Sequence, residues 1–183
     1  MKSYRERFFE QYTYQNLLTP NGKKRRIMVY HGMLYRWDLV PAKMRAAKLL
    51  HMLLPLLSAM LLIVSSIQPA QANMNQTVAL LSLTALAATL PEFWGGMLFA
   101  LQRKPEMTEL EWNEIRIAIL VSSFVHALLL CLSSVFVLIV TLRSDMNLLI
   151  CAGYASAAVC PICLHVCHRR IPVRAGKAES PSV

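Results

Sequence analysis

Residues 117–142 read IAILVSSFVHALLLCLSSVFVLIVTL, a run of 26 without one Asp, Glu, Lys or Arg. A helix needs about 20 mostly apolar residues to cross the hydrocarbon core of a bilayer, and this run exceeds that length. A buried helix of a soluble protein is usually 8–20 residues long and keeps a polar face, which this stretch lacks. It therefore reads as a membrane span. Three further stretches have the same character: 49–67, 77–101 and 148–167. The four together take up about half of the 183 residues, so the chain has room for one domain and that domain lies in the membrane. The whole composition agrees, with 56% hydrophobic and only 16% charged residues, well under the roughly 25% charged of soluble domains. The expected fold is an all-α bundle of four transmembrane helices.

Outward from these spans, the basic residues are distributed with a strong bias. Eleven of the nineteen Lys and Arg precede residue 49, three lie in the loop 102–116, and four in the tail 168–183. Only Arg143 falls in the other two loops, beside Asp145. The positive-inside rule then puts both termini and the 102–116 loop in the cytoplasm, in a plasma or bacterial inner membrane. The first apolar stretch begins too late for a cleavable signal peptide, so the expectation is that it stays as an anchor. A net charge of +9 is accounted for by topology and by attraction to anionic lipid headgroups. Nucleic acid is not an expected partner.

Residues 1–48 are too patterned for a disordered tail. Ser3 with Glu6 fits a capping box opening a short helix, along which Tyr4, Phe8 and Tyr12 share a face. Thr19–Gly22 is a turn former before the basic run Lys23–Arg26. Ile27–Tyr30 and Met33–Trp37 flank His31-Gly32, which reads as a tight hairpin with glycine supplying a positive φ. The expected cytoplasmic unit is thus a short helix and a β-hairpin. In the 102–116 loop, Pro105 and then Thr108 with Glu111 mark a capped helix start leading into the third span. The same loop holds Glu106, Glu109, Glu111 and Glu114, acidic enough to dock on the basic N-terminal unit or to remain solvated. The last dozen residues, with Pro172, Gly176 and Pro181, read as frayed.

Two sets of residues could carry chemistry inside the membrane. Glu92 is the one carboxylate within a span, and such a group usually faces the bundle interior and marks a functional site. Ala85, Ala88, Thr89, Gly95 and Gly96 share its face. His126 sits at matching depth in the third span, with Ser122 and Ser133 on its stripe. A Glu92–His126 contact is a proton or cation site on one reading, and a hydrogen-bonded clamp fixing helix register on the other. His51 reads as an interfacial residue. The second set is Cys160-Pro-Ile-Cys163-Leu-His165-Val-Cys167-His168. Thiolate and imidazole together suit zinc or copper, and C-x-x-C can be a redox dithiol. No second ligand pair elsewhere completes a tetrahedral site, however. Cys160 and Cys167 also lie on a small-residue face with Gly153, Ser156 and Ala157, where close helix packing is the alternative.

Four spans with C-x-x-C in the last resemble the vitamin K epoxide reductase-like and DsbB-like thiol oxidases. The likeness covers Cys160, Cys163 and a helix count. The outer loops carry no cysteine to exchange with, so the assignment is not adopted. No cofactor is implied, and no phosphate loop, nucleophile elbow or metalloprotease motif is present. The leading expectation is a non-enzymatic accessory or regulatory protein working through a membrane partner or a second copy. The alternatives are a small proton-coupled transporter or ion-conducting oligomer using Glu92 and His126, and a thiol or metal protein using the cysteine cluster.

Overall fold

In a computed structural model of the chain, residues 10–18, 24–144 and 147–177 are described. The predicted helix with its Ser3–Glu6 capping box, the Thr19–Gly22 turn and the end of the tail lie outside the described residues. Three strands come first: β1 (Tyr12–Leu18), β2 (Lys24–Tyr30) and β3 (Met33–Trp37). Four long helices follow: α1 (Pro41–Ser66), α3 (Gln76–Leu101), α4 (Glu109–Arg143) and α5 (Leu148–Arg169), with the single turn α2 (Gln71–Met74) between the first two. Strand β4 (Glu106–Thr108) precedes α4, and β5 (Val173–Lys177) closes the chain. The residues divide into two compact units.

The helical unit runs over residues 39–103 and 114–171. Its four long helices are long and apolar enough to cross a membrane, in agreement with the four predicted spans. Helix α1 starts eight residues earlier than its apolar run. Pro41 opens it at the first turn, where a missing N–H costs nothing, and Lys43, Arg45 and Lys48 ride on that first stretch. Lys48 Nζ donates to the carbonyls of Ala100 (3.2 Å) and Gln102 (2.5 Å), a cation on the carbonyl end of α3.

Beside an apolar core that includes Leu62, Val78, Leu130 and Val137, this unit buries many polar side chains and exposes large apolar ones. His51, Ser58, Ser82, Glu92, Ser123, His126 and Ser133 are buried, while Leu53, Leu80, Leu90, Phe124, Leu132 and Leu149 are exposed. Such an arrangement is favourable only where the surrounding solvent is itself apolar. The buried positions of α1 are His51, Pro55, Ser58, Leu62 and Ser65. Those of α5 include Ile150, Tyr154, Ala157, Pro161, Leu164 and His168. Both sets step by fours and threes, the 3.5-residue seam of helices wrapped at a shallow angle.

The second unit gathers three segments: residues up to Asp38, Lys104–Asn113, and Pro172 onward. Here the predicted hairpin needs correction. A hairpin exists, but it pairs β1 with β2, from Tyr12 opposite Tyr30 to Leu18 opposite Lys24. β3 instead lies at the centre of a separate antiparallel sheet, ordered β4-β3-β5. His31-Gly32 is a bend between the sheets. Gly32 does not have the expected positive φ; it leaves room for a ring, since a Cβ would run into the Tyr30 phenol, whose Oη donates to the Met33 carbonyl (2.9 Å). The tail likewise contributes a paired strand up to Lys177, in place of fraying. Inside this unit Trp37 and Met107 are buried, and the Trp112 ring stacks on Tyr35 (5.5 Å) and meets Trp37 edge-on (4.5 Å). The capping box opening α4 is present. Thr108 N–H donates to Glu111 Oε2 (2.9 Å), and Glu111 N–H reaches back to Thr108 Oγ1 (3.4 Å). The acidic segment does meet the N-terminal strands: Gln11 Nε2 donates to Glu109 Oε2 (3.0 Å), and Glu109 N–H to Tyr30 Oη (3.2 Å).

Candidate functional site

Helix α3 carries Glu92 on the same stripe as Ser82, Ala85, Thr89, Gly95, Gly96 and Phe99, all buried. The small residues bring neighbouring backbones close. A Cβ on Gly96 would overlap the His51 carbonyl oxygen of α1, and one on Gly95 would stand 3.0 Å from the Ala118 and Ile119 backbone of α4. That proximity puts the Glu92 carboxyl directly on His126 of α4, with Oε2 against Nδ1 and both side chains at 0% exposure.

The chemistry of this contact follows from counting protons. Glu92 Oε1 and His126 Nε2 are buried without a hydrogen-bond partner among the described residues. An ion pair leaves the Nε2–H unpartnered. A neutral acid donating from Oε2 forces the imidazole proton onto Nε2, again unpartnered. A neutral imidazole donating from Nδ1 to a neutral acid leaves the proton on Oε1. Every arrangement of zero net charge therefore buries one donor without an acceptor among the described residues, and such groups in a native interior call for an explanation. The pair therefore has one donor left for a further group.

Toward the basic end, around Phe99, seven residues beyond Glu92 on α3, lies a second pair. His51 of α1 and His168 of α5 meet through Nε2 and Nδ1 at 3.0 Å. Phe99 of α3 packs on both rings, 4.7 and 5.9 Å away. The sequence reading places His51 at the membrane interface; the structure buries it completely. The signal that reveals it is a polar residue every seven positions, His51, Ser58 and Ser65, which is the seam of the bundle. His165, from the cysteine-rich segment, faces α4 with Nδ1 3.1 Å from Ser123 Oγ. Four of the chain's five histidines thus cluster in the half of the bundle nearest Lys48, Arg103 and Arg116.

The remaining predicted residues fall elsewhere. Ser122 and Ser133 are buried on the His126 stripe but donate within their own helix, to the carbonyls of Ala118 and Leu129 (the latter at 3.0 Å). Cys160 is buried with Sγ 3.8 Å from the Ser156 carbonyl, Cys163 is exposed, and Cys167 is half-buried. Among the described residues no three His, Cys, Asp or Glu side chains are grouped to hold a metal ion. Gly153 and Ala157 form the α1–α5 contact, where Gly153 accommodates Ser65 and the Ala157 carbonyl accepts from Ser58 Oγ (2.9 Å). Ser156 is exposed and is not part of that face, because the seam runs through positions 154, 157 and 161. No family model, no curated protein and no solved structure matches the chain.

Proposed function

We propose that the chain is a non-enzymatic accessory or regulatory protein of a cell membrane, with both termini in the cytoplasm, acting through a membrane protein partner or a second copy. The observation that carries this reading is the β unit. Three segments that precede α1, join α3 to α4 and follow α5 assemble one sheet with its own buried Trp37 and Met107. Segments that only linked spans would need neither the sheet nor its core. Strand β5 forms one edge, and an open edge is a pairing surface for another chain. On this reading the Glu92–His126 pair is a clamp that fixes α3 against α4.

A second reading is favoured by that same pair. Its spare donor suits a proton-coupled transporter or an ion-conducting oligomer. Replacing Glu92 by Gln separates the two, because the amide keeps the shape and most hydrogen bonding but cannot titrate. Purified wild type and Glu92→Gln are reconstituted in proteoliposomes, and photo-crosslinking from Ala175 is run in membranes. The proposal expects a discrete crosslinked species from both proteins and no proton flux from either. Proton flux by the wild type, lost in a folded Glu92→Gln protein, overturns it in favour of transport.

A further inference from the structure

At the end of the bundle away from the basic residues, a cavity of about 310 Å³ opens between α1 and α3. Its walls are aliphatic: Ile63 and Ile67 on one side, Leu83 and Leu86 on the other. Ile63, Ile67 and Leu83 are exposed at the mouth. Its floor is polar, formed by Ser66, Asn73, Ser82 and the nearly completely buried Tyr154. A small apolar pocket with a few convergent polar groups is the usual form of a ligand site, and this volume is at the lower end of the ~300–1,000 Å³ range.

The hydrogen bonds of the floor specify what it lacks. Asn73 spends both Nδ2 protons on the carbonyls of Ser65 (2.9 Å) and Gln68 (2.8 Å), so its Oδ1 is turned to accept. Tyr154 Oη donates to that oxygen at 3.1 Å. Ser66 Oγ, 3.0 Å from the same Oη, must then donate to it. Ser82 Oγ donates to the Val78 carbonyl at 2.7 Å, while lying 3.1 Å from Tyr154 Oη. Every donor of the cluster is committed, and the oxygens of Ser66, Ser82 and Asn73 keep acceptor lone pairs. An incoming polar group must therefore bring a proton. It must also be uncharged, because no lining residue is ionisable at neutral pH and a buried charge without a partner is strongly disfavoured.

We propose that this cavity binds an uncharged lipid alcohol from the surrounding bilayer. Its hydroxyl donates to the Ser66, Ser82 or Asn73 oxygens, and its aliphatic chain leaves between α1 and α3. The site lies outside the Glu92–His126 region and requires only that the four helices lie in lipid.

The test uses the full chain in phosphatidylcholine nanodiscs and a long-chain alkanol with a diazirine in its tail, with adducts mapped by mass spectrometry. Adducts are expected to concentrate on residues 62–67 and 79–86. The methyl ether and the carboxylic acid of the same chain should label these peptides about tenfold less, as loss of a hydrogen bond or an unpaired charge requires. Ser66→Ala with Ser82→Ala should lower the alkanol's labelling comparably. Ala79→Trp, which adds bulk at an exposed lining residue outside the polar floor, should abolish it even where the double variant fails to fold. Equal labelling by all three probes, labelling indifferent to Ala79→Trp, or adducts spread evenly over the exposed faces of α4 and α5 would overturn the proposal.

Discussion

His51 Nε2 lies 3.0 Å from His168 Nδ1, and His51 Nδ1 lies 2.7 Å from the Ala47 carbonyl. A carbonyl only accepts, so His51 carries its proton on Nδ1 and its Nε2 must accept from His168. The tautomers of both rings are thereby set by one backbone oxygen of α1. The first and last long helices are joined through this chain of hydrogen bonds, 117 residues apart in sequence.

The first prediction tests that coupling. His168→Phe leaves the His51 Nε2 without its donor, and His51→Phe leaves His168 Nδ1 without its acceptor. Each should destabilise the folded state in detergent unfolding, while the double variant should cost less than the sum. The expected coupling is about 0.6 kcal/mol, the average for hydrogen bonds between membrane helices, and at most about 1.7 kcal/mol. Additivity within error would show that the two rings are neighbours without an energetic bond.

Close approach of α1 to α3 gives the second prediction. A Cβ at Gly96 would overlap the His51 carbonyl oxygen, which belongs to backbone and cannot step aside. Gly96→Ala should therefore cost about 1–3 kcal/mol by overpacking. Gly176, on β5, has nothing within 4 Å of its ideal Cβ, and Gly176→Ala should stay within about 0.5 kcal/mol of wild type. Equal tolerance at the two sites would contradict the helix contact.

How much of this was legible in the sequence depends on which interaction decides each element. The four helices were, because a mostly apolar run of about 20 residues has few other fates. The meeting of Glu92 with His126 was also within reach, from matching depth on adjacent spans. The packing seam was harder, because in lipid the outer face is as apolar as the inner and hydropathy does not separate them. Only polar residues at seven-residue steps, such as His51–Ser58–Ser65, betray it. Local pattern located two strands of the β unit, at Ile27–Tyr30 and Met33–Trp37, but not their partners. β3 pairs with residues 106–108 and 173–177, partners set by where the helices return the chain. His31-Gly32 imitates a turn because Gly32 makes room for the Tyr30 ring.

A third prediction concerns alkaline pH. Burial raises the Tyr30 phenol above its ordinary value near 10, with the Glu109 charge acting the same way and the Glu109 N–H opposing. Burial and then Glu111 likewise raise Tyr12. A raised value means the folded β unit prefers the neutral phenol. Its contribution is complete below the unfolded value and lost as pH climbs through the folded one. With Trp94→Phe as background, emission then reports Trp37 and Trp112 of the β unit. That signal should hold to about pH 10 and loosen above it. Tyr30→Phe should flatten the alkaline loss while lowering neutral stability by roughly 0.5–1.5 kcal/mol per hydrogen bond removed. An unchanged alkaline limb in Tyr30→Phe would assign the loss to other groups.

The last prediction fixes orientation, which the helices alone leave open. Eighteen of nineteen Lys and Arg lie before residue 49, in residues 102–116 or after residue 167, and Arg143 alone lies on the opposite side. Loops with many basic residues resist translocation, so the poor loops are the ones that cross. Alkaline phosphatase fused after residues 72 and 145 should be active, since it matures only outside the cytoplasm. Fluorescent-protein fusions after residues 20, 105 and 180 should be bright, since that reporter folds inside. Three Lys placed in the segment 68–76, which has none, should reduce the phosphatase signal at 72 by opposing its transfer. A fluorescent, phosphatase-inactive fusion at 72 in the unmodified chain would invert the topology. The β unit would then lie outside the cell, and a cytoplasmic partner for β5 would be ruled out.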